Sequence, residues 1–146
     1  MTNRILTVRL EIPSALDMLE LVQTVTDQIG RAAGFEGDTL HWIGMSVREC
    51  VINAIVHGNS RDSRKRVYLD FTSAPNSDGT EFAVCVRDEG AGFDPAALTD
   101  PLLPENILRP SGRGIFLMRT LMDEVSLQRA PQGGMQVRMV KCSPRS

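Results

Sequence analysis

The chain has 146 residues, 42% of them apolar and 23% charged, enough for one domain (residues 1–146) around one core and too few for two. Its 16 basic and 18 acidic residues leave a formal charge of −2, so there is no electrostatic footprint for nucleic acid or an anionic membrane surface. The three cysteines, Cys50, Cys85 and Cys142, sit far apart in apolar runs without CxxC or Cys/His spacing, which argues against a zinc site and predicts small buried hydrophobes in a reducing compartment.

Residues 4–12 alternate, with Ile5, Thr7 and Arg9 on one face and Leu6, Val8, Leu10 and Ile12 on the other, which predicts a strand. This opening does not run apolar as a secretory leader does. No later stretch approaches the ~20 apolar residues of a membrane span, so a cytoplasmic protein is expected. Pro13-Ser14 reads as a strand stop and a helix N-cap. Leu16, Leu19, Val22, Val25, Ile29 and Ala33 then recur at helical spacing until Gly34. A second helix opens at Gly37-Asp38-Thr39 and runs to about His57, with Gly58-Asn59 as its cap. Residues 64–73 and 81–88 read as strands around a turn at "APNSDGT". From Glu89 to Pro110 there is no periodicity, a length that marks a functional or mobile loop. "GRGIFLMRTLMDEV" reads as a helix, and "EVSLQRA", "PQGG" and "MQVRMVKC" as a closing hairpin. Adjacent strands joined by short turns, with helices between them, predict an α+β two-layer sandwich with its helices on one face.

Three features break the local pattern. In the second helix, Glu49, Asn53 and His57 fall at i, i+4 and i+8 and form a polar stripe amid Leu40, Ile43, Val47, Cys50, Val51, Ala54 and Ile55. A buried carboxylate needs a partner or a wet pocket. An amide oxygen suits a hard cation, and a carboxylate one turn away suits proton removal, whereas a solvated amphipathic face would give the same stripe. Asp88 continues the apolar face of Phe82, Val84 and Val86, so it requires a donor such as an adenine amino group, and Gly90 and Gly92 after it permit close backbone approach. An ordinary strand-ending turn is the alternative. Finally, Ser111-Gly112-Arg113-Gly114 opens a helix, where exposed N–H groups suit a phosphate and Arg113 otherwise opposes the helix dipole. The stretch is neither a Walker A loop nor a dinucleotide fingerprint, and a flexible helix start remains open.

Taken in order, these segments resemble a known family. "ECVINAIVHG" (residues 49–58) resembles the N-box of GHKL ATPases as carried by RsbW-like anti-sigma-factor kinases. "DEGAGF" (88–93) resembles their G1 box and "GRGIFLM" (112–118) their G2 box. The resemblance covers roughly residues 45–122. It implies a Bergerat-type sandwich with a mixed, largely antiparallel sheet, and ATP held beneath the loop from Phe93 to Arg113. By motif position it implies Asn53 as the Mg2+ ligand, Glu49 as the base on a substrate serine, and Asp88 as the adenine reader. Gly90 and Gly92 would shape the adenine pocket, and Gly112, Arg113 and Gly114 would hold phosphates. It also implies a sigma factor and a STAS-type anti-anti-sigma protein as partners, and a homodimer.

Two other readings share these residues. One is a histidine-kinase-like catalytic domain, although a strand starts where a dimerising helical hairpin would stand, and His41 reads as an ordinary helix residue. The other is a non-catalytic nucleotide-gated sequestering module, against which Glu49 stands. His57 is placed favourably against the helix dipole and needs no chemical role.

Overall fold

The first strand, β1 (Leu6–Pro13), keeps the alternation of its sequence, with Thr7, Arg9 and Glu11 exposed and Ile12 buried, in the computed structural model, which describes residues 5–90 and 110–144. A short 3₁₀ turn (Leu16–Met18) leads into α1 (Leu19–Ala32), whose Leu19, Val22 and Ile29 are buried. Gly34, at φ +96°, ends that helix, and its backbone N–H returns to the Arg31 carbonyl. The next helix, α2 (Gly37–Asn53), buries Leu40, Ile43, Ser46, Val47, Cys50 and Val51. It runs on into a π-helical turn, Ala54–Gly58.

Strands β2 (Arg66–Asn76) and β3 (Gly79–Arg87) form a hairpin, α3 spans Pro110–Leu121, and β4 (Glu124–Arg129) pairs with β5 (Met135–Pro144). Among the described residues the five strands make one sheet of order β1-β2-β3-β5-β4, and every pairing is antiparallel. The sheet is therefore antiparallel throughout and not mixed. The register brings Val8, Phe71, Val84 and Met139 into one inward row. These residues pack with Val22 of α1, Val47 of α2 and Met118 of α3 in a single core, so the three helices cover one face. The expected two-layer α+β sandwich is borne out.

The opposite face is polar. Its middle row runs Arg9, Asp70, Cys85, Arg138, with Arg9 and Asp70 3.5 Å apart.

Two further expectations need correction. Ser14 caps no helix, because α1 begins only at Leu19; its hydroxyl donates instead to the Lys65 carbonyl at 2.9 Å. The cysteines are not uniformly buried: Cys50 is, Cys85 is half-buried on the polar sheet face, and Cys142 is exposed where its backbone N–H donates to Asp123. Burial pushes the Cys50 thiol well above its ordinary range, so it is held as a neutral hydrophobe. No helix among the described residues is long and apolar enough to cross a membrane.

Candidate functional site

Asp88 follows the last residue of β3, and the alternation that buries Phe82, Val84 and Val86 carries it inward too, to 4% exposure. Its Oδ1 accepts from the backbone N–H of Gly90 at 2.9 Å and of Met135 at 3.1 Å. Its own N–H donates to the Met135 carbonyl at 3.0 Å, so β5 clamps the turn from the far side. Burial raises the carboxyl above its ordinary value; the two backbone donors, with Lys65 and Arg87, pull it partly back.

The walls around Asp88 are backbone. A Cβ on Gly58 would strike the Asp88 carboxylate, and one on Gly90 would strike the Gly58 carbonyl oxygen. Gly90 is thus required by close approach and not by a positive φ. Gly134 meets both conditions: it sits at φ +84°, and a side chain there would collide with Asp88. The end of α2, the start of the Asp88 turn and the β4–β5 turn therefore meet at van der Waals limits.

Asn59 ties these segments together by its side chain. Fully buried, it accepts at Oδ1 from the Glu89 N–H (2.7 Å). Its Nδ2 donates to Ser14 Oγ (2.7 Å) and to the Arg66 carbonyl (2.9 Å). The π-turn aims it there, since the Asn59 N–H bonds five residues back to the Ala54 carbonyl at 2.8 Å. The residues that take left-handed φ beyond the helix are Ser60 (52°) and Arg61 (60°), not the glycine expected to cap it.

On the other side of the site lie Glu49 and Asn53, one helical turn apart on α2 and half-buried. They converge on the first turns of α3. A Cβ on Gly114 would stand 2.7 Å from Asn53 Nδ2 and 3.0 Å from Glu49 Oε1. The Glu49–Asn53 part of the polar stripe is therefore not a solvated face but lies against the glycine-rich helix start. Gly112 and Arg113 belong to that same first turn of α3. Gly92 and Phe93, with most of the loop expected to cover ATP, lie outside the described residues. His57 is exposed.

The structure thus brings Glu49, Asn53 and Gly114 together, and Asp88 and Gly90 against the C-terminal end of the same helix. Sequence reasoning missed Ser14, Gly58, Asn59 and Gly134. Only Gly58-Asn59 carried a signal, as a helix end; the helical run does end there, but spacing gave no sign that these residues wall and tie the Asp88 turn.

An α+β sandwich with a carboxylate at a strand end, a carboxylate–amide pair on the covering helix and a glycine-rich helix start defines the class. The chain belongs to the histidine kinase-like ATPase domain family, of GHKL type, whose sequence profile matches residues 12–141. Within it, the chain is similar to an anti-sigma F factor of Bacillus subtilis, 35% identical over 108 residues covering 71% of this chain and 70% of that protein. It is also similar to the serine-protein kinase RsbW of Staphylococcus epidermidis, 27% identical over 141 residues covering 92% of this chain and 85% of that one. Among solved structures, the crystal structure of the SiaB-SiaC complex from Pseudomonas aeruginosa shares the fold, with TM-score 0.58 and 17% identity over 97% of this chain and 92% of that chain.

Proposed function

We propose that the chain is an ATP-dependent serine/threonine protein kinase that acts as a cytoplasmic anti-sigma factor and phosphorylates a STAS-type anti-anti-sigma protein. The observation that carries this reading is the convergence of Glu49 and Asn53 on Gly114 at the start of α3. In this reading they would supply a base, a side-chain amide and a phosphate-binding helix start where a terminal phosphoryl group and a hydroxyl would meet. The names of the relatives, anti-sigma F factor and serine-protein kinase RsbW, support the same reading.

In this mechanism Asp88 accepts a hydrogen bond from the adenine amino group. Its Oδ1 is committed to two backbone donors, and Oδ2, which faces Gly58, is the oxygen for the base. The unpaired first-turn N–H groups at Ser111 and Gly112, with Arg113 beside them and Gly114 leaving clearance, would hold the phosphates at the positive end of the α3 dipole. Glu49 takes the proton of the substrate serine hydroxyl as its oxygen bonds to the γ-phosphorus, and the bond to the ADP oxygen breaks. Asn53 carries an amide whose oxygen would suit Mg2+; the atom nearest Gly114 is its Nδ2, and the absence of a side chain on Gly114 leaves that amide unobstructed. When bound, the ion offsets phosphate charge.

Adding about two negative charges to a STAS serine would expel that protein from its complex and free the chain for a sigma factor. A homodimer is part of the same proposal. The test is incubation of the purified chain with Mg-ATP and each cognate STAS protein, with Glu49→Gln beside it. Transfer by the wild type alone, with ATP binding equal in both, supports a kinase. Nucleotide binding without transfer by either protein would leave a sequestering module and overturn the enzymatic reading.

A further inference from the structure

We infer that Asn59 is a positioning residue for base recognition, holding the Asp88 turn at the depth where its carboxylate selects a 6-amino purine. The inference deepens the nucleotide-binding reading of Asp88 and rests on it.

The Asn59 amide is held in one orientation. Its Oδ1 faces a group that only donates, the Glu89 N–H, and its Nδ2 faces one that only accepts, the Arg66 carbonyl. A second acceptor for Nδ2 is Ser14 Oγ, whose proton is committed to the Lys65 carbonyl at 2.9 Å. The chain of bonds runs from the β1–α1 junction, through Asn59, to the residue after Asp88. Each bond is 2.7–2.9 Å long. Nothing in this chain needs Asp88 to be charged, and nothing in it reaches Glu49 or α3.

The Glu89 amide is the point of leverage. Asp88 is fixed on its other side by Met135, and Gly90 is pressed on the Gly58 carbonyl. The backbone between these clamps has one remaining hydrogen-bond partner at Glu89 N, and Asn59 supplies it. Without Asn59 the turn is free to swing at Glu89, and the Asp88 Oδ2 atom loses its fixed depth beside Gly58. The glutamate side chain does not substitute, because it points outward to the Tyr68 hydroxyl, 2.5 Å away, beside Arg87 stacked over that ring at 4.1 Å.

A residue with this role affects the base and not the phosphates. The experiment is calorimetric titration of the full chain with ATP, with inosine triphosphate, which carries a 6-oxo group in place of the amino group, and with inorganic tripolyphosphate. Asn59→Ala should weaken ATP about tenfold, the loss of roughly one well-made hydrogen bond, and should shrink the ATP preference over inosine triphosphate. Tripolyphosphate affinity should not move. Ser14→Ala removes one of the two acceptors of Nδ2, should shift the same ratio by a smaller factor of about two to three, and serves if Asn59→Ala fails to fold.

Equal weakening of all three probes would mean general loss of structure and would overturn the inference. So would an unchanged ATP-to-inosine ratio in whichever variant folds. A wild-type chain that does not distinguish ATP from inosine triphosphate would overturn the adenine reading of Asp88 itself, and the inference with it.

Discussion

The two ends of the site on α2 are built differently. At its C-terminal end, Asp88 is enclosed by backbone: two N–H donors, the Gly58 carbonyl and the Gly134 turn leave no slack. In the last turn of α2, before the π-helical turn, Glu49 and Asn53 are half-buried side chains facing a helix start, and what faces Gly114 is side chain and not backbone. The first end is pre-formed and specifies shape. The second can adjust to a transferring group. In the proposed kinase, base reading would fall to the backbone-enclosed end and transfer to the side chains of Glu49 and Asn53.

The sharpest way to break this comparison is Glu49→Gln. If Glu49 acts only in chemistry, transfer falls by about 10²–10⁴-fold while ATP affinity and thermal stability hold. A parallel loss of binding would place Glu49 among the groups that build the pocket instead.

The two glycines come next. Gly90→Ala forces a Cβ into the Gly58 carbonyl, which cannot move alone, and should cost about 3 kcal/mol of stability by the overpacking rule. Gly114→Ala meets side-chain atoms and no backbone, Asn53 Nδ2 with Glu49 Cγ and Oε1, so the fold should survive, helped by the better helix propensity of alanine. Its transfer activity should fall nonetheless. Melting curves and single-turnover assays on the two proteins separate these outcomes; equal destabilisation by both would erase the distinction between the ends.

A smaller effect is expected with pH. Burial makes Asp88 hold its proton more tightly in the native chain than in the unfolded one. The stability it contributes is then fully present below its unfolded value of 3.8 and is lost as pH rises through the raised native value. Asp88→Asn removes that titration. Over this window the wild type should lose stability relative to the variant as pH rises, measured by denaturant midpoints. A constant difference would mean Asp88 is not desolvated. Smallest of all is Ser46→Ala. The Ser46 hydroxyl is buried on α2 without a hydrogen-bond partner among the described residues, so its removal should be neutral or raise stability by up to about 1 kcal/mol.

Much of the site was legible because it follows from local periodicity. Alternation in "EFAVCVRD" is enough to send Asp88 inward, and the i, i+4 relation is enough to put Glu49 and Asn53 on one stripe. The glycine-rich opening of α3 is likewise visible in four consecutive residues. What stayed hidden depends on approach across the sheet. Asn59 finds Glu89 thirty residues on, Met135 finds Asp88 forty-seven residues back, and no spacing rule announces either. Ser14 was misread for the same reason: Pro-Ser before a helical run suits a cap, but the chain spends three more residues in a 3₁₀ turn, and the hydroxyl is needed by Lys65 and Asn59. The exposure of Cys142 followed from its place at the outer end of β5, where an apolar run in sequence does not amount to a buried row in the sheet.

The most direct test of the account is calorimetric titration of the chain with ATP and GTP, each with and without magnesium, beside Asp88→Ala. The account predicts binding that prefers adenine, responds to magnesium and disappears in the variant. Absence of binding at millimolar nucleotide, or equal affinity for GTP, would contradict it.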